Sequence, residues 1–188
     1  MMKKNDKFIL FLKDIMVTIV IYIVVTVIFT QFFMRPFRVE GGSMLPNLRD
    51  KELGISSVFS LKKNGIERFD VVIVYQPAAQ RYIVKRVIAL PGETVRYEYD
   101  TLYINGEAVE EPFLNEQFKN QSTDGGFVDF TTEFGPLEMG EDEYFLLGDN
   151  RPRSSDSRLY GPFKRENIKS KNGYVLYPFN SIRKIGKN

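Results

Sequence analysis

The chain has no cysteine and no histidine among its 188 residues. Without cysteine there are no disulfides, no thiol nucleophile and no thiolate metal site. Without histidine there is no Ser-His-Asp triad, no imidazole base and no route to most zinc sites. Any acid–base chemistry must therefore use Lys, Asp, Glu or Tyr. A concentrated basic face is also missing. The 26 Lys and Arg are scattered and offset by 24 Asp and Glu, for a net charge of +2, which argues against nucleic-acid binding. What remains, 43% hydrophobic and 27% charged, is the composition of a globular protein: one domain of ordinary size plus an appendage.

The appendage lies at the N-terminus. Residues 1–13 are short and basic, with Lys3, Lys4, Lys7 and Lys13 set against Asp6. Ile15 to Phe33 then reads IMVTIVIYIVVTVIFTQFF, nineteen residues without a charge. As a helix that run is long enough to cross a hydrocarbon core of about 30 Å. A cleaved secretory signal is the alternative, but such signals have a shorter apolar core and small residues at the cut, whereas Gln31-Phe32-Phe33-Met34-Arg35 is bulky. The expected layout is a cytoplasmic tail over 1–13, a transmembrane anchor over 14–34 and an extracytoplasmic β-rich domain over 35–188. The leading lysines favour a cytoplasmic N-terminus, although Arg35 and Arg38 weaken the asymmetry.

Beyond the anchor the signals are those of strands. Phe69 to Tyr75 and Tyr82 to Leu90 are apolar and rich in β-branched residues, and Pro77 and Pro91-Gly92 close them as turns do. Thr94 to Asp100 alternates, and Asn105-Gly106 between strand-like flanks is a hairpin signal. Residues 110–143 are acidic and polar, a variable segment of loops or short strands. No helical period of useful length follows the anchor. These patterns predict a mainly β fold of curved antiparallel sheets or an open barrel.

Three stretches carry chemistry. Ser43 follows two glycines and precedes Met44-Leu45-Pro46, a pattern that by itself also suits a surface turn. Lys85 sits in the apolar run Tyr82-Ile83-Val84-Lys85-Arg86-Val87-Ile88. On a strand, Ile83, Lys85 and Val87 face one way and Val84, Arg86 and Ile88 the other. Burial among aliphatics lowers a lysine pKa toward that of a general base, while a surface lysine snorkelling over apolar neighbours is the blander alternative. Finally, Gly148-Asp149-Asn150-Arg151 opens a polar run to Arg158. A serine is a poor nucleophile until a base takes its proton, and in a chain without histidine a neutral lysine is the best base on offer.

Together, GGSMLPNL, FDVVIVY, YIVKRVIALPGE and FLLGDNRPRSSDSRLYGP, in that order from Val39 to Pro162, resemble the motifs of bacterial type I signal peptidases of the short, single-anchor form. The resemblance implies a membrane-anchored serine endopeptidase that removes signal peptides from exported preproteins through a serine-lysine dyad. Ser43 would be the nucleophile and Lys85 its base. Ser154 would orient the lysine, Asp156 and Arg158 would hold their segment in place, and Asp149 would pair with Arg86. Asp149-Asn150 as a mere tight turn, and Asp156 with Arg158 as a mere surface pair, are the structural alternatives. Met44, Val39 and Gly41 are candidate walls of shallow apolar substrate pockets. The implied partners are signal peptides and the lipid bilayer, in proximity to the export channel. No metal or organic cofactor is implied.

The sequence also departs from the family pattern. Gly41 stands where some members place a serine that serves the oxyanion, Asn47 where threonine is usual, and Pro152-Arg153 where polar residues are common. Two rival functions are compatible with the same motifs: an inactive membrane-tethered β module that binds exported chains, and another serine-lysine peptidase.

Overall fold

The computed structural model describes residues 4–123 and 129–186. Helix α1 (Lys4–Phe32) begins well before the expected anchor and runs through Lys7, Lys13 and Asp14. Within it Lys7–Phe32, 26 residues whose most apolar 18-residue stretch has a mean hydropathy of 2.5, has the length and apolarity of a membrane span, and none of that stretch is buried in the protein.

The remainder is two antiparallel sheets. The larger has β1 (Met34–Arg38), β2 (Leu53–Ser57), β11 (Ile168–Tyr177), β3 (Val71–Gln76), β4 (Arg81–Ala89), β9 (Glu143–Leu147) and β10 (Phe163–Lys164) in that spatial order, with β12 (Arg183–Ile185) also on β11. The smaller runs β7 (Glu107–Val109), β6 (Thr101–Ile104), β5 (Thr94–Glu98), β8 (Phe134–Glu138). The expectation of a mainly β fold of antiparallel sheets holds. Strand β3 is buried on both faces, which is why its sequence, VVIVYQ, is continuously apolar rather than alternating. Strands β5 and β6 alternate between buried and half-buried positions, as one-sided strands do. The Asn105-Gly106 hairpin joins β6 to β7, with both residues at positive φ as the tight two-residue turn requires.

Strand β4 is the seam of the molecule. Val87 packs into one apolar cluster with Val72, Val74 and Leu146, Ile88 into a second with Val95, Leu102 and Phe145, and Val84 against a third that contains Val39, Met44 and Leu48. Adjacent residues of one strand thus serve different cores, and the side chains of Lys85 and Arg86 leave it on opposite faces.

Two expectations need correction. Beyond α1 the described residues form three short α-helices, α2 (Val58–Asn64), α3 (Glu116–Ser122) and α4 (Ser157–Tyr160). Each spans two turns or fewer, too few to display a helical period. Residues 110–143, expected as loops or short strands, include the short strand β8, which pairs with β5 and completes the smaller sheet, and also a helix, α3, capped by the Asn115 side chain. Asp124-Gly125-Gly126 lies outside the described residues.

Candidate active site

Ser43 sits in the turn between β1 and β2, and Lys85 midway along β4. Lys85 Nζ donates to Ser43 Oγ at 2.9 Å. The lysine is 3% exposed. Burial, only partly opposed by the charges of Asp156 and Asp149, pushes its pKa down to about 8. The surface-lysine alternative is therefore excluded.

Arg86 is held on the other face by Asp149, through Nε to Oδ1 at 2.8 Å and Nη2 to Oδ2 at 2.7 Å, with both side chains out of solvent. Its remaining donors reach the Phe69 and Gly186 carbonyls, and its plane lies 4.0 Å from the Phe113 ring centroid. Such a fork-to-fork pair, with both Nη1 protons also accepted by carbonyls, is the geometry in which a buried guanidinium is tolerated. Asp149 is thus more than a turn residue.

Asp156 and Arg158 are not a surface pair either. Asp156 is fully buried, and its carboxylate accepts from Arg158 Nε and Nη2, both at 2.9 Å, and from the Gly148 amide at 3.2 Å. Burial raises its pKa, but the bonds and charge of Arg158 outweigh that effect and hold the carboxyl below its ordinary value. Arg158 also donates to the Arg151 carbonyl at 2.7 Å, which closes the loop on itself.

Ser154 does not bond Lys85. Its hydroxyl is buried, makes no well-aligned hydrogen bond among the described residues, and lies close enough to the Asp156 carboxylate to help hold that group's pKa down. It lies instead against Gly148, where a Cβ would stand 2.3 Å from Ser154 Oγ and 2.4 Å from the Ser43 carbonyl oxygen. Only glycine fits there.

Other residues that matter here were not singled out for it from sequence. Asn150 holds the nucleophile turn twice, its amide donating to the Ser43 carbonyl at 3.0 Å and its Nδ2 to the Gly42 carbonyl at 2.9 Å. Asn47 donates to Asp149 Oδ2 at 2.8 Å and to the Phe113 carbonyl at 3.0 Å. Arg151 is buried against Glu111, Tyr97 and Thr131, which ties residues 110–143 to the segment that follows Asp149. Each is a polar side chain whose partner lies far away in sequence. The local signal available was an amide or guanidinium beside apolar runs, which a surface residue gives equally well.

A groove of about 990 Å³ opens over the Ser43–Lys85 pair and runs to Thr30 and Gln31 at the end of α1. Val39 and Met44 line it, at 3% and 1% exposure, as parts of its floor. Gly41 lies on its rim with φ at +79°, a conformation a serine there would resist, and its amide is already bound to Asp50 Oδ1 at 2.8 Å. None of the described residues of 110–143 lines the groove, and within that segment β8 closes the smaller sheet. Among the described residues no cluster of carboxylates has the makings of a metal site.

The groove has a further property. Strand β1 pairs with β2 alone, and residues 81–85 of β4 pair with β3 alone, because β9 joins β4 only from Arg86 onward. Two free strand edges therefore border it, each with unpaired main-chain groups.

Comparison with known proteins agrees with this arrangement. The family model described as "Signal peptidase, peptidase S26" matches residues 12–177. The chain is 38% identical over 183 residues to a protein named signal peptidase I from Bacillus licheniformis, covering 97% of this chain and 95% of that one. It is 37% identical over 180 residues to signal peptidase I from Streptococcus pneumoniae, covering 80% of this chain and 86% of that one. A crystal structure of a signal peptidase I from Enterococcus faecalis superposes with a TM-score of 0.51 at 38% identity, over 56% of this chain and 95% of that one. The chain therefore belongs to the signal peptidase family, peptidase S26.

Proposed function

We propose that the protein is a membrane-anchored serine endopeptidase that removes signal peptides from exported preproteins, with Ser43 as nucleophile and Lys85 as general base. The observation that carries this reading is the 2.9 Å contact between Lys85 Nζ and Ser43 Oγ, made by a buried lysine in a chain without histidine. Neutral Lys85 takes the Ser43 hydroxyl proton as Oγ attacks the scissile carbonyl. The lysine then gives that proton to the departing amine, which leaves an acyl-enzyme. Neutral again, it accepts a proton from water as the water oxygen attacks the ester, then gives that proton to the departing Ser43 Oγ, which releases the signal peptide with a new carboxylate and restores the free serine. The oxyanion is met by the Ser43 amide, which has no acceptor of its own among the described residues, whereas the Gly41 amide is already taken by Asp50. The Asn150 bonds to the Gly42 and Ser43 carbonyls hold that turn in register. Ser154, buried with spare hydrogen-bonding capacity beside the same turn, serves as a second partner for Lys85 when Ser43 Oγ is acylated.

The two free strand edges support an extended substrate, bound largely through its main chain and therefore with little demand on sequence. The groove's far end at Thr30 and Gln31 supports a substrate that rises beside α1, its own apolar segment still in the bilayer. In this reading 1–13 is cytoplasmic, 14–34 is the anchor and 35–188 works outside, close to the export channel.

The test is cleavage of a purified preprotein by the full chain in detergent, followed across pH. Mature product from the wild type, none from Ser43→Ala, and an activity that rises as a group near pH 8 deprotonates are the expected results. A fully active Ser43→Ala or Lys85→Met would overturn the dyad. Binding without cleavage by the wild type would favour the inactive tethered module.

A further inference from the structure

We propose that α2 is the seat of the domain on the membrane: Phe59 enters the bilayer interface beside the end of α1, and Lys62 and Lys63 bind the phosphates of anionic lipids. The inference rests on the reading of α1 as a membrane anchor and adds a second contact, one that fixes the height and tilt of the domain.

The chain leaves α1 at Phe33, and the Phe33 carbonyl accepts from both the Val58 and Phe59 amides, at 3.0 and 3.3 Å. The start of α2 is thereby tied to the exit point of the span. Val58 and Leu61 turn inward and are buried. Phe59, Lys62 and Lys63, spaced i, i+3, i+4, share the outward face. The rings continue from one helix to the other: Phe29 stacks on Phe33 at 5.6 Å and Phe33 on Phe59 at 6.2 Å. Lys62 Nζ lies 4.6 Å from the Phe32 ring centroid and Lys63 Nζ 5.9 Å from that of Phe59. Phe32, Phe33 and Phe59 are each about half exposed, at 54%, 47% and 51%, and form one aromatic patch shared by the span and α2.

Depth follows from this packing. If Phe32 and Phe33 end a span, a ring stacked on Phe33 lies at the same level, the boundary between acyl chains and headgroups that suits an apolar ring. The two ammonium groups, drawn over those rings on flexible stems, then reach the phosphate layer. A seven-residue helix is marginal in isolation, but α2 does not depend on the membrane to form because Leu61 anchors it in the protein core.

A rival seat exists at the other end of β11, where Leu176, Tyr177, Phe179 and Ile182 are exposed. Tyr177 pairs with Leu53 and Leu53 with Arg38, four residues down β1 from Met34, or about 13 Å from the α1 exit. Among the described residues no lysine pair is drawn over its rings, and no bond ties it to the span.

The chain has no tryptophan, so a single introduced indole reports without background. Phe59→Trp, Ile21→Trp and Phe179→Trp are each placed in the full chain and reconstituted in phosphatidylglycerol vesicles that contain lipids brominated near the headgroup or deep in the acyl chain. The Phe59→Trp emission should fall by roughly half or more with the shallow bromines, and less with the deep ones, as for a group about 5–10 Å below the surface. Adding Lys62→Glu and Lys63→Glu should shift that emission to the red in phosphatidylglycerol but not in phosphatidylcholine. Quenching of Phe59→Trp by aqueous iodide and not by bromolipid overturns the proposal, provided Ile21→Trp is quenched by the deep bromines. Failure at Ile21→Trp overturns the anchor reading itself. Strong quenching at Phe179→Trp with none at Phe59→Trp assigns the seat to the rival patch and also overturns the proposal, as does a charge reversal without effect in phosphatidylglycerol.

Discussion

Replacing Lys85 by methionine should abolish cleavage and, at neutral pH, make the fold more stable. Lys85 is 3% exposed, and its pKa falls from 10.5 to about 8 on folding. Between those values the unfolded chain binds the proton and the folded chain does not, so wild-type stability rises with pH across that window. Below pH 8 the native protein carries the full cost of a buried ammonium, about 3 kcal/mol at 1.36 kcal/mol per pH unit. Methionine keeps most of the aliphatic stem and removes the charge, while Ser43, on the open groove, can still be hydrated. The variant should therefore gain about 3 kcal/mol below pH 8, or roughly 6–12 °C in Tm for a chain of this size. The gain should decline as pH rises and vanish near pH 10.5. The assay is thermal or urea unfolding of both proteins in the same mild detergent, followed by circular dichroism at each pH, so that other titrations cancel in the difference. A variant no more stable than wild type at pH 7, or an advantage that stays constant to pH 10.5, would refute the idea that the site is held against a charging penalty.

Other outcomes follow from the same geometry. Gly148→Ala must push the Ser43 carbonyl about 1 Å outward to clear a 2.4 Å contact, and displacement of that order near a nucleophile costs about 100-fold in kcat/KM; wild-type peptidase rates from a folded variant would contradict it. Asp149→Ala strands the Arg86 guanidinium at 2% exposure and should lower unfolding stability by about 3–5 kcal/mol in urea melts, and a loss under 1 kcal/mol would mean that the pair is not a brace.

What could be read in advance was local. The alternation of β4 sent Lys85 and Arg86 to opposite faces, and Asn105-Gly106 announced its own turn, because strand pleat and turn backbone depend on near neighbours. Ser43 and Lys85 stood out through the company they keep, a glycine pair and an aliphatic run. Asn47 and Gly148 did not, because their importance comes from how the Ser43 turn meets the Asp149 turn, a matter of tertiary packing. Ser154, a residue that the resemblance ties to Lys85, makes no hydrogen bond to it here, and its hydroxyl lies against Gly148. Within residues 110–143 the helix went unannounced, because seven residues are too few to impose a period on an acidic background.

Asp149 has one more consequence. Ser43 and Lys85 are 42 residues apart in sequence, with a turn, a helix and two strands between them. If their separation were set along that route, small errors at every joint would accumulate and the pair would wander. The carboxylate of Asp149 offers a shorter path: it grips Asn47, four residues from Ser43, and Arg86, the immediate neighbour of Lys85. Both side chains are surveyed from one fixed mark, so that any displacement of that mark carries the serine and the lysine together.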